Sequence, residues 1–393
     1  LLLIGLLGQK LAKRLQSFSD PRGKFKRGLG ILFVLVGIFI FTGADKAVQT
    51  YILERGYFDI TKVEQKLLAE PMEKTSQNYP QYKEIVNPSG FVNSEPFELG
   101  DLVGKKVILL DIMTYSCINC QRTFPYVNAW YDTYKDQGLE IVGIHTPEFA
   151  FEKKIENVQD AAKRFGLKFP LVLDNDYATW NAYGNRYWPR KYLIDIHGNI
   201  VYDHIGEGAY EETEAKIQEL LEERKEVLAE DIALTKDMQK PSDAEEVSTA
   251  ISRSPETYFG SLRARFLGEA TDQDGTLVTF AEPTDPEQNQ IYLVGTWNIQ
   301  PEYAEAVSDD AKILYIYSAQ KVFLVMSSDN TAKAEVILDG KTVTTDAGVH
   351  VNNGTVTIDN EQLYRLIEGG KPSTHKLELK AEPGLRAFAF TFG

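Results

Sequence analysis

The chain has 393 residues, 43% apolar and 25% charged, which is the composition of a globular protein with room for two or three domains. A net charge of −15 and an isoelectric point near 5.0 argue against nucleic acid as the main partner. The charge is uneven: seven basic residues (Lys10, Lys13, Arg14, Arg22, Lys24, Lys26, Arg27) and one acid, Asp20, fall within positions 10–27. The rest of the chain is therefore more acidic than the total implies.

The first residue is Leu, and "LLLIGLLG" reads as the tail of an apolar helix. A second apolar run, 28–44, has 17 residues and no charge, the lower end of what crosses a bilayer. A secretory signal peptide is the alternative, but the run is long for one and follows residues that are already apolar. Residues 1–44 are thus expected to be the end of a longer membrane domain, with its last transmembrane helix at about 28–44. The basic cluster would lie on the cytoplasmic side, and everything after Asp45 on the extracytoplasmic side. Residues 45–90 read as a linker with one short helix in "TKVEQKLLAE". Over 91–225 strands alternate with helices: "KVILLDIM", "RTFPYVNAWYDTYKDQG", "LEIVGIHT", "EKKIENVQDAAKRFG" and "PLVLD". A hairpin turning at His197-Gly198-Asn199 and the charged helix "YEETEAKIQELLEERKEVLAE" follow. That order predicts an α/β layer with a helix-covered sheet. Residues 226–254 are charged and Ser/Pro-punctuated, a second linker. Residues 255–393 switch to a period of two with Asp-Gly and Asn-Gly turns, predicting an all-β sandwich or jelly roll, interrupted by a short helix in "NEQLYRLIEGG".

Both cysteines of the chain, Cys117 and Cys120, lie in "ILLDIMTYSCINCQRTFP". A structural zinc site needs four ligands, and here there is no second cysteine pair and no paired histidines among His145, His197, His204, His350 and His375. No metal is expected. A disulfide closing so small a loop would constrain the unfolded chain little. Redox exchange needs an exposed thiolate and a nearby resolving thiol, and a pair at a helix start supplies both, because the helix N-terminus stabilises the first thiolate. The expectation is a redox-active disulfide with Cys117 attacking and Cys120, one turn in, resolving, and no other cofactor.

The same stretch resembles the thioredoxin superfamily, in particular its membrane-tethered TlpA-like branch. Asp111, six residues before Cys117, stands where thioredoxins carry the buried carboxylate that relays a proton to the resolving thiol. Pro125 stands where they have the proline that bends the active-site helix. Pro189 in "YWPRKYLID" matches the cis-proline facing the disulfide. Two departures are Trp188, where thioredoxins have a smaller residue, and Ile118-Asn119 between the cysteines. TlpA-like proteins use an acidic residue near the cysteines to tune their acidity, and the resemblance points to Glu148 in "HTPEFAFE". Tyr115 and Ser116 flank the cysteines as candidate contacts for a partner protein.

The full order resembles the C-terminal part of DipZ-like fusion proteins, in which a CcdA/DsbD-type membrane electron carrier is joined to an external thioredoxin-like domain and a carbohydrate-binding-module-like domain. The resemblance implies that upstream membrane helices donate electrons to the Cys117–Cys120 disulfide. That pair then reduces disulfides of extracytoplasmic proteins, with cytochrome c maturation as one destination. A peroxiredoxin-like peroxidase is the competing enzyme, although Tyr115-Ser116 precede Cys117 where its Pro-x-x-x-Thr-x-x-Cys context would stand. A glycan- or cell-wall-binding module is the non-enzymatic alternative, with Trp297, Tyr303, Tyr315 and Tyr317 as a sugar-stacking platform unless they serve the core.

Overall fold

A computed structural model describes residues 79–245, 253–264 and 275–393. The expected membrane helix 28–44, the basic stretch before it and the "TKVEQKLLAE" helix lie outside the described residues. Among the described residues no helix is long and apolar enough to cross a membrane. Those residues belong to one compact unit.

Six strands make the first sheet: β1 (Gly90–Val92), β2 (Val107–Met113), β3 (Leu139–His145), β4 (Leu171–Leu173), β5 (Arg190–Ile194) and β6 (Ile200–Ile205). Their order is β1-β4-β3-β2-β5-β6, with β4, β3 and β2 parallel to one another and the remaining pairings antiparallel. Helices α1 (Ile118–Tyr134), α2 (Ile155–Phe165), α3 (Ala178–Ala182) and α4 (Tyr210–Leu228) cover the sheet. The central strand β2, "VILLDIM", is buried along its whole length, as a strand covered on both faces must be. Its side chains alternate: Val107, Leu109 and Met113 pack with Phe124, Val127 and Trp130 of α1, while Ile108, Leu110 and Ile112 pack with Trp180 and Tyr192. By that parity Asp111 lies on the α1 face. The predicted strands, helices and hairpin of this half are all present; Asp195 caps the hairpin turn by accepting the N–H groups of His197 and Asn199. The stretch before β1, read as linker, is strapped onto that turn through Tyr82 N–H to Gly198 O at 2.9 Å.

The second half, whose described strands are numbered in chain order from β7 (Thr257–Tyr258) to β19 (Arg386–Phe392), is β-rich and nearly barrel-shaped. Two separate sandwich sheets were expected, but the three-residue strand β10 (Ala304–Ala306) pairs with both β9 (Ile291–Ile299) and β19. Among the described residues that bridge makes one sheet of thirteen strands. Its path ends at β15 (Val351–Asn352) and β17 (Gln362–Ile367), and the chain just before β15 reaches β17 through Gly348 N–H to Leu366 O at 2.9 Å. Joining the two ends of the path in this way shields the edge of β17. Residues 362–367, read as helical, form strand β17 paired with β12 (Val322–Ser327). Leu363, Tyr364, Leu366 and Ile367 match either period, and cross-strand pairing decides.

Strands β12, β17 and β19 are apolar on both faces, and the packing explains it. Leu324, Tyr364 and Phe390 point into the barrel core, whereas Phe323, Val325, Leu363 and Phe388 join the core of the first domain. An antiparallel strand facing water would alternate with polar residues; here the α/β domain takes the place of water. Trp297, Tyr315 and Tyr317 are buried in the barrel core, and Tyr303 packs on Phe388 at the domain junction with ring centroids 5.1 Å apart. Of the residues offered for the alternative sugar-stacking platform, Trp297, Tyr315 and Tyr317 thus serve the core.

Candidate redox site

Cys117 is the N-cap of α1, with extended backbone angles (φ −77°, ψ 121°), and Cys120 lies in the first turn of the helix. The buried positions Cys120, Phe124, Val127, Trp130 and Tyr134 recur at helical spacing and seat α1 on the sheet. This leaves Cys117 at the rim, half-buried, and Cys120 fully buried, both as free thiols. Gln121 pins the loop by donating from Nε2 to Tyr115 O at 2.9 Å, and Thr123 Oγ1 donates to Cys120 O at 2.9 Å. Pro125 sits inside α1, where it lacks the N–H that would bond four residues back. Burial first, then the hydrogen bond and charge of Cys117, push the Cys120 thiol well above the ordinary thiol range. The charge of the Asp111 carboxylate adds to that rise.

Asp111 is fully buried, and its antiparallel neighbour in register is Lys191 on β5. Directly opposed residues share a face. Lys191 Nζ lies 3.1 Å from Asp111 Oδ1, with both side chains out of contact with solvent. Sequence reading does not single out Lys191; the available signal is the second of two bases opening the otherwise apolar strand "RKYLI", two residues after Pro189. The Trp188–Pro189 peptide is cis. Trp188 is half-buried, donates from Nε1 to Thr146 O at 3.0 Å and packs on Trp180 at 4.3 Å.

The two residues before Cys117 face inward and not toward a partner. Tyr115 is 1% exposed, stacks on His145 at 5.5 Å and donates its hydroxyl to Glu361 O at 3.2 Å. Ser116 is 2% exposed and donates from its hydroxyl and its N–H to Glu152 Oε1, at 2.7 and 3.2 Å. Thr114 Oγ1 donates to the same oxygen at 2.5 Å, while Glu152 Oε2 accepts the N–H groups of Glu148 and Phe149 at 2.5 and 3.0 Å. The carboxylate against the cysteine loop is thus Glu152, four residues beyond the expected Glu148. The sequence signal was slight: one acid closing the apolar run "FAF". Burial pushes Glu152 up to about 7, and the charge of Glu148 adds to the rise. Burial also lowers His145 to about 3, so it stays neutral. Glu148 itself pairs with Arg263 of the barrel, Arg263 Nη1 to Glu148 Oε1 at 2.8 Å. Among the described residues no cluster of His, Cys, Asp and Glu is arranged to hold a metal.

Two family descriptions match the chain: Redoxin over residues 83–221, and a thioredoxin-like C-terminal domain over 254–393. Protein DipZ of Mycobacterium tuberculosis is 31% identical over 418 residues, covering 100% of this chain and 57% of that protein. The chain thus spans little more than half the DipZ length. Thiol-disulfide oxidoreductase ResA of Halalkalibacterium halodurans is 36% identical over 132 residues, covering 33% of this chain and 70% of ResA. A solved thiol:disulfide interchange protein of the thioredoxin family from Chlorobium tepidum covers 37% of this chain and 98% of its own, at 20% identity and a TM-score of 0.32. With ResA matched over most of its length and the DipZ likeness running the whole of this sequence, the protein belongs to the thioredoxin-like family of thiol-disulfide oxidoreductases and is DipZ-like throughout.

Proposed function

We propose that the chain is a membrane-anchored, extracytoplasmic thiol-disulfide reductase. The observation that carries this reading is the pair itself: a rim cysteine at a helix N-terminus and a buried cysteine one turn in, beside the Asp111–Lys191 pair. In the forward reaction the Cys117 thiolate attacks one sulfur of a substrate disulfide, forming a mixed disulfide and releasing one substrate thiolate, which takes a proton from water. Asp111 receives the proton of Cys120, whose thiolate attacks Cys117 Sγ. The Cys117–Cys120 disulfide forms as the mixed disulfide breaks, and the second substrate sulfur leaves as a thiolate that takes up a proton, so the substrate gains two electrons.

Reduction is favoured over oxidation by Glu152. Its carboxylate takes the Ser116 N–H next to Cys117 and adds negative charge beside the loop. Negative charge beside the couple favours the uncharged disulfide, and a favoured disulfide means a lower reduction potential. The apolar run 28–44 after a basic stretch supports the anchor and the external placement. Upstream membrane helices of the CcdA/DsbD type would return electrons to the pair, and extracytoplasmic disulfide proteins, cytochrome c maturation factors among them, would receive them. By the family likeness, Trp188 and the cis Pro189 would face the substrate disulfide.

Reduction of insulin disulfides at the expense of dithiothreitol tests the chemistry. Cys117→Ala is expected to lower the rate to that of dithiothreitol alone, and Cys120→Ser to accumulate a mixed disulfide through Cys117. Reduction that survives Cys117→Ala would sink the proposal.

A further inference from the structure

The segment between β3 and α2 has only one turn of 3-10 helix, Ala150–Lys153, too short to hold its own shape. Yet it carries Glu152, which meets the loop before Cys117. The second domain holds this segment along its length. Arg263 Nη1 and Tyr258 Oη lie 2.8 and 2.9 Å from Glu148 Oε1, and the Glu148 side chain is only 10% exposed. The Tyr258 hydroxyl also lies 2.7 Å from Glu256 Oε2. The Arg263 guanidinium covers the rings of Tyr258 and Phe149 at 3.9 and 5.1 Å. Glu302 accepts the Ala150 N–H at 2.9 Å, and Phe149 and Phe151 meet Phe388 edge-on at 5.1 and 5.0 Å. Farther along, the Glu361 carboxylate takes Lys154 Nζ at 2.8 Å and Asn157 Nδ2 at 2.6 Å. A continuous path results: Arg263 to the Glu148 carboxylate, the Glu148 N–H to Glu152 Oε2, and Glu152 Oε1 to Ser116.

We infer that the barrel domain is part of the redox site, and that Arg263 is a positioning residue which, through Glu148, holds the Glu152 carboxylate against the Cys117 loop and keeps the dithiol strongly reducing. The inference rests on the reading of Cys117–Cys120 as the redox couple. It gives the C-terminal domain a task in electron transfer that needs no sugar ligand.

The test is the equilibrium of the couple with glutathione at pH 8, in the whole 393-residue chain. Arg263→Ala is expected to shift the equilibrium toward the dithiol about tenfold, a rise of about 30 mV for a two-electron couple. Arg263→Lys, which keeps the charge, should recover most of the original value. Glu152→Gln should raise the potential as well, and Arg263→Ala should add nothing in that background, because residues acting through one path are not additive. If Arg263→Ala does not fold, Tyr258→Phe carries the same comparison, with a smaller rise expected. An unchanged or lowered potential, or the same shift with and without Glu152, overturns the inference. A parent chain with no Cys117–Cys120 couple overturns the site reading as well, an outcome distinct from a normal couple that ignores Arg263.

Discussion

Lys191→Met is expected to lower the unfolding free energy by about 3–5 kcal/mol, the cost typical of removing one partner of a buried ion pair. Lys191 and Asp111 sit at the centre of the sheet, 3.1 Å apart, and neither side chain has a further hydrogen-bond partner among the described residues. Methionine fills much the same volume as the lysine stem, so the loss comes from the charge and not from a cavity. The stranded Asp111 carboxylate has one route to relief, which is to take up a proton. The variant should therefore regain stability on acidification, and Asp111→Asn in the same background should restore most of it, since replacing both charges by neutral groups is often near neutral. Urea unfolding of the three variants measures this. A cost below about 1 kcal/mol, the range of exposed pairs, would mean that the contact is solvated.

Glu152→Gln is expected to remove a pH dependence of stability of order 3 kcal/mol. The folded state raises the Glu152 carboxyl from its ordinary 4.5 to about 7. The native protein thus holds this proton more tightly than the unfolded chain does. The stabilisation is fully present below pH about 4.5 and is lost as pH rises toward about 7. The groups around Glu152 are the Thr114 and Ser116 hydroxyls, the N–H groups of Ser116, Glu148 and Phe149, and the Glu148 charge, which Arg263 partly offsets. His145 titrates in the opposite sense, its buried neutral ring losing stability as pH falls from 6.5 toward about 3. That contribution is common to both proteins and cancels in the difference. Unfolding free energies of parent and variant from pH 4.5 to 8 should diverge by the stated amount; a constant difference would contradict it.

Much of this was legible in the sequence because the relevant signals are local. The spacing of Asp111, Cys117, Cys120 and Pro125 lies within one strand–loop–helix unit, and helical or twofold periodicity marked most elements of both halves. What escaped depends on contacts distant in sequence. Lys191 matters because the β2–β5 register sets it opposite Asp111, eighty residues away, and no periodicity encodes that register. Glu152 and Glu148 are alike as letters; only the fold of the 147–154 loop decides which faces Ser116 and which faces Arg263. Strand β17 and the bridging strand β10 belong to the same class, since both are assigned by partners. The runs "VFLVMS" and "RAFAFTF" did carry a hint, because strands apolar on both faces need a second surface to cover them, and here it is the α/β domain.

The most direct test of the central claim is the reduction potential of the Cys117–Cys120 couple, measured by equilibration with a thiol–disulfide buffer. The Glu152 carboxylate beside the loop and the absence of charge-stabilising donation from Ser116 predict a value near that of thioredoxin, about −270 mV. A value near that of DsbA, about −120 mV, would make the protein an oxidant and contradict the assignment as a reductase.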